Sequence, residues 1–159
     1  MSELYAILLS WAVSLSGYPM PQIPAEVIRV SHAVLVQRAC DGRECKVMGW
    51  FPHGERIYID ERLRPNESLL AASIVIHEMV HHLQYRAGRF DALSCSKSIG
   101  LEREAYAVQR EFLLRYGVYQ PVGASEHRVG CVTSSEAGTA AHALPADTEG
   151  LQARGEVPE

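Results

Sequence analysis

The stretch Ile74-Val-Ile-His77-Glu78-Met-Val-His81-His82-Leu-Gln84 constrains this chain more than any other. Its apolar residues are not confined to one narrow stripe, so it reads as a helix that must be buried. An α-helix turns about 100° and rises about 1.5 Å per residue, which sets His77 and His81 one turn apart on a single face. Two imidazoles so placed can reach one ion at the roughly 2.0–2.1 Å of a zinc–nitrogen bond. Glu78 is turned about 100° from His77, beside such an ion, where it can take a proton from a water the metal activates. Buried without a metal, these groups would need other polar partners, because an unpaired polar group in an apolar interior is costly. The fold therefore has to bring this helix inside and deliver at least one more donor to it.

The rest of the chain supplies elements that can do so. Leu4, Ile7, Leu8, Trp11 and Leu15 fall at helical spacing, and Gly17 followed by Pro19 ends that helix. The same stretch could pass for a signal-peptide core, but it has Glu3 and no Lys or Arg before it, so a domain helix is expected. Pro19 to Pro24 is an extended connector, and Glu26 to Val30 reads as a strand. Residues 31–39 suit a short helix or a strand. Lys46–Phe51 and Arg56–Asp60 are β-rich runs around the turn Pro52-His53-Gly54-Glu55, which predicts a hairpin. Asn66 is the expected N-cap of the central helix, predicted over 67–87 with Gly88 as its stop. Residues 89–98 form a polar connector, and a further helix is expected over 99–116, closed by Gly117, with Leu101, Ala105, Val108 and Phe112 along one stripe.

A catalytic zinc usually has three protein ligands and one position open to water. The last helix offers the third donor in Leu101-Glu102-Arg-Glu104-Ala-Tyr106, with Glu102 about twenty residues beyond His81. Here residues 46–116 resemble the gluzincin branch of zinc metallopeptidases. Many members follow His-Glu-x-x-His with Glu-x-x-x-Asp, often with Ala before the Asp. The resemblance implies Glu102 as third ligand, with Glu104 as the alternative, since Glu104 points about 200° away on the same helix. The match departs at Tyr106, which stands where the family has an acid that steadies a ligand histidine. That task is vacant or falls to another residue. The resemblance also implies that the hairpin Val47–Ile59 offers an exposed edge to an extended substrate.

Other polar residues near the motif have plainer readings. His82 is expected on another face as a solvated or hydrogen-bonding residue. Gln84, one turn past His81, is expected to serve mainly in packing, and Tyr106 is expected to be a buried structural tyrosine rather than a donor to an oxyanion. His53 in the turn, and His127 and His142 further on, are expected to face solvent.

With 159 residues, 47% of them apolar and 21% charged, the chain suits a single globular domain. A net charge of -4 gives no reason to expect nucleic acid or an anionic membrane surface as a partner, and no apolar run approaches the roughly 20 residues of a membrane span. Of the four cysteines, Cys40 and Cys45 flank an Asp-Gly turn and are candidates for a local disulfide, which would fit an exported or periplasmic protein. From Pro121 the chain turns rich in Gly, Ala, Ser, Thr, Pro and Glu, so residues 121–159 are expected to be a mostly disordered tail to a domain spanning 1–120. The expectation is a small α+β, zincin-like domain: a peptidase holding one Zn²⁺ on His77, His81 and Glu102, with Glu78 as general base and peptide or protein as substrate. A zincin-like module that binds without cleaving is the main alternative, and a structural metal site closed by a fourth protein ligand is another.

Overall fold

The computed structural model describes residues 2–54, 56–91 and 94–124. These form four helices and a small three-stranded sheet, an α+β arrangement. In chain order they are α1 (Glu3–Ser16), β1 (Glu26–Val30), α2 (His32–Ala39), β2 (Gly49–Trp50), β3 (Arg56–Asp60), α3 (Leu69–Arg86) and α4 (Cys95–Arg115). The ambiguous stretch after β1 is thus helical. No described helix is long and apolar enough to cross a membrane.

The sheet order is β1-β3-β2. β3 pairs parallel with β1, Ile57 opposite Val27 and Ile59 opposite Arg29, and antiparallel with β2, Trp50 opposite Tyr58. Side chains alternate along β3 as its pleat requires. Ile57 and Ile59 join the large core that also holds Val75, Ile76, Met79 and Leu83 of α3, whereas Tyr58 turns to a second cluster with Leu35 and Ala39 of α2 and with Val47. The sheet therefore lies between α2 on one face and α3 on the other, and α1 and α4 pack around α3. With neighbours on all sides, α3 is buried continuously from Ala71 to Gln84.

Two helix starts differ from expectation. Pro65-Asn66-Glu67 forms a turn in which the Glu67 and Ser68 amides donate to Arg64 O, so Asn66 cannot cap α3. Ser68 does so instead, its Oγ accepting from the Ala71 amide at 3.3 Å. α4 starts a turn earlier than its apolar stripe, at Cys95, because the hydroxyl of Ser94 caps it by accepting from the Lys97 amide. Cys40 and Cys45 form the expected disulfide, closing the loop after α2, and Cys95 is disulfide-bonded as well. This is compatible with an oxidising compartment. The start of the supposed tail is ordered into the domain: Val122 and Gly123 are buried, and Arg110 donates to Val122 O at 2.9 Å. Residues 125–159, for which disorder is expected, lie outside the described residues.

Candidate metal centre

Burial of α3 carries His77, Glu78 and His81 into the interior, where His77 is 0% and Glu78 1% exposed. The one-turn spacing brings the two imidazole Nε2 atoms to 3.0 Å from each other. α4 packs along α3 and presents Glu102 to both rings. Glu102 Oε2 lies 3.3 Å from His77 Nε2, and Oε1 lies 3.2 Å from His81 Nε2. Donors bound at 2.0–2.1 Å around a tetrahedral ion sit about 3.3–3.4 Å apart, so an adjustment of a few tenths of an ångström would seat one. His77, His81 and Glu102 form a group that could hold a metal ion, and among the described residues no further His, Cys, Asp or Glu joins it.

The far side of each ring is held too. His81 Nδ1 is 2.8 Å from Gln84 Oε1, and His77 Nδ1 is 3.2 Å from Gln109 Oε1. The amide orientations follow from their other contacts. Gln84 Nε2 donates to Leu101 O at 3.0 Å and to Glu104 Oε2 at 2.9 Å, both of which can only accept. Gln109 Nε2 donates to Ser73 Oγ at 3.0 Å, and that hydroxyl spends its own proton on Leu70 O at 2.7 Å. Each glutamine therefore turns its oxygen to a histidine, and each Nδ1 must carry the proton that it donates. This leaves both Nε2 lone pairs pointing at the shared space, the tautomer a metal ligand needs.

Glu104 lies apart from this cluster. Its carboxylate accepts from Gln84 and, at 3.0 Å, from Tyr18 OH, to which Arg89 donates in turn at 3.1 Å. Burial, with Glu104 as neighbour, pushes the Tyr18 hydroxyl up to about 12. Tyr106 is buried with its ring edge-on to His77, centroids 4.5 Å apart. His82 is fully buried rather than solvated, its ring nitrogens 3.3 Å from Gly54 O and 3.2 Å from Ile23 O, where it ties the β2–β3 turn to the connector before β1. The exposed ring of His53 lies in that turn, against Phe90. His127 and His142 lie outside the described residues.

Glu78 sits under the sheet. Its Oε2 is buried with no hydrogen-bond partner among the described residues. A carboxyl oxygen left like this is costly, which marks a place where a cation, a water or a substrate group belongs. Burial foremost, reinforced by the charge of Glu102 and opposed by that of His81, raises Glu78 to about 8. Burial also lowers His77, to about 4, against the pull of Glu102. For His81 burial acts in the same direction, but Glu102, Glu78 and Gln84 outweigh it and raise the ring to about 9. Beyond the protons on the two Nδ1 atoms, the paired Nε2 atoms facing one carboxylate can share one more while no cation is bound. A cation bound there would displace that proton.

Two glutamines of the site have roles that the sequence alone does not assign. Gln84 was expected to serve in packing, yet it orients His81. Gln109 lies seven residues past Glu102, about two helical turns on and so on the same stripe of α4, with no motif to mark it. Comparison of the chain with protein-family models, curated proteins and solved structures finds no match.

Proposed function

We propose that the protein is a zinc-dependent metallopeptidase of zincin type, with one Zn²⁺ held by His77, His81 and Glu102 and with Glu78 as general base. The observation that carries this reading is the triangle of two Nε2 atoms and one carboxylate at 3.0–3.3 Å, beside a buried carboxyl oxygen without a partner. The ion, when bound, would bring the pKa of a water towards 7 and polarise the scissile carbonyl. With the charge of the ion beside it favouring the carboxylate, Glu78 would take the proton of the attacking water and pass it to the leaving amine, so the acid formed in the first half of the reaction is used in the second. Gln84 and Gln109 keep the imidazoles in the tautomer that serves the site. β2 lies at the edge of the sheet and its Gly49 abuts Glu78, so an extended peptide adding to β2 through backbone hydrogen bonds would run beside the general base.

The test is digestion of casein and of a quenched peptide library by zinc-loaded protein, with and without a chelator. Glu78→Gln is expected to keep stoichiometric zinc and to lose hydrolysis by at least about 100-fold, the scale of a lost general base. An unchanged rate rejects the role of Glu78.

One observation favours a second reading, a zincin-like module that binds without cleaving. The donors are nearly closed off, the side chains of His77, His81 and Glu102 being 0%, 6% and 14% exposed. In that case zinc binds with the same ligands and neither casein nor any library peptide is cut.

A further inference from the structure

On its Nδ1 side each candidate ligand imidazole meets a side-chain amide among the described residues, where a carboxylate could have stood. This bears on how the site treats its ion, and it rests on the metal-binding half of the reading above, not on peptide hydrolysis. A carboxylate hydrogen-bonded to Nδ1–H orients the ring and also pushes charge through it, making Nε2 a better donor. An amide oxygen orients the ring and adds no charge. At His77 the chain of contacts runs through Gln109 to Ser73 Oγ and ends on the backbone at Leu70 O, with no charged group in it. At His81 it runs through Gln84 to the Glu104 carboxylate, one full side chain further from the ring than a direct partner would be.

We infer that Gln84 and Gln109 are positioning residues that fix the ligand tautomers and, by their neutrality, hold the affinity for a divalent ion below what these three ligands could reach, leaving the bound ion more electron-poor. Glu102 is then the one negative group among the three donors, and the hydrogen-bonded link from Glu104 to the site runs through the Gln84 amide.

The two positions differ in what they tolerate. A carboxylate at 84 would face Glu104 Oε2 and Leu101 O, two acceptors, and be repelled. A carboxylate at 109 would face the hydroxyl of Ser73, which can turn from Leu70 O and donate to it. Gln109→Glu is therefore the informative change, and Gln109→Leu its control of similar size.

The experiment measures Zn²⁺ affinity of the full chain by competition with a chromophoric chelator, together with the visible spectrum of the Co²⁺-loaded protein. Gln109→Glu is expected to bind Zn²⁺ about tenfold more tightly and to shift the cobalt bands, while Gln109→Leu binds about 10–100-fold more weakly. A merely structural glutamine would give weaker binding in both variants, or none of these changes. Either result, with wild-type protein still taking up zinc, overturns the inference and leaves the metal site standing. A wild-type chain that takes up no zinc overturns both. Should Gln109→Leu fail to fold, Ser73→Ala removes the acceptor that orients the Gln109 amide and is expected to weaken Zn²⁺ binding severalfold; an affinity within twofold of wild type overturns the inference equally.

Discussion

An ideal Cβ added to Gly49 would lie 2.7 Å from Glu78 Oε1 and 2.8 Å from its Cγ, closer than real Cβ contacts come. The strand backbone is thus the wall against which the Glu78 carboxylate is set, and only glycine leaves room for it. Gly49→Ala is expected to displace Glu78 while sparing the ligands. Hydrolysis should fall about 100-fold, the scale of an ångström's misplacement at a reacting group, with the zinc affinity unchanged. Parallel measurement of kcat and of zinc Kd checks this, and a variant as active as wild type would show that Glu78 has slack to move. The same residue marks what a sequence can and cannot tell. His77 and His81 could be named in advance because helical periodicity sets them one turn apart, whereas Glu102 was preferred to Glu104 on a resemblance alone. The need for glycine at 49 could not, because it arises from two elements meeting. Gln109 falls between: its place on the Glu102 stripe was computable, but an amide carries no mark of chemistry until its partner is known.

At the scale of elements, the end of β3 is fastened by Asp60. This buried carboxylate accepts from Arg62 Nε at 2.8 Å, from Arg62 Nη2 at 2.6 Å and from the Arg62 amide at 2.9 Å, and it pairs with His32 Nδ1 at 3.0 Å. Burial alone would raise its pKa, but the Arg62 hydrogen bonds and charge, with His32, lower it below the usual carboxylate range. A depressed pKa contributes stability that is present above the unfolded value of about 4 and is lost as pH falls through the folded one. Asp60→Asn is therefore expected to cost about 1–3 kcal/mol at pH 7, the scale of hydrogen bonds to a charged group, with the difference shrinking below about pH 4. Urea unfolding of both proteins at pH 7 and pH 3.5 measures it, and an equal cost at both values contradicts the assignment. Helices α1, α3 and α4 were legible from periodicity and their glycine stops. The starts of α3 and α4 were not, because several serines and Asn66 could cap them and local turn geometry chose among these. Nor did single-strand patterns disclose that β1 would join β3 in parallel, since each strand's alternation is satisfied by any partner that covers the same face.

For the whole molecule, the candidate metal site joins two consecutive helices across their packed faces. His77 and His81 come from α3 and Glu102 from α4, so an ion that binds only the folded chain holds the two together. Zn²⁺ at about 100 times its Kd is expected to add about 2.7 kcal/mol and to raise Tm by about 8–10 °C, reversed by a chelator. Calorimetry of His77→Ala should show no such rise. The coarse α+β class and the candidate donors His77, His81 and Glu102 could be read from the sequence with the help of the resemblance; the layer order around α3 could not, because burial on all sides is compatible with many arrangements of neighbours. The central claim is that two imidazoles from one helix and one carboxylate from the next share a single zinc ion. Zinc K-edge X-ray absorption of the stoichiometrically loaded chain tests it most directly. The account predicts two imidazole nitrogens and one or two oxygens at about 2.0–2.2 Å, with one imidazole lost in His81→Ala. Sulfur in the coordination shell, or no zinc retained at any loading, would contradict it.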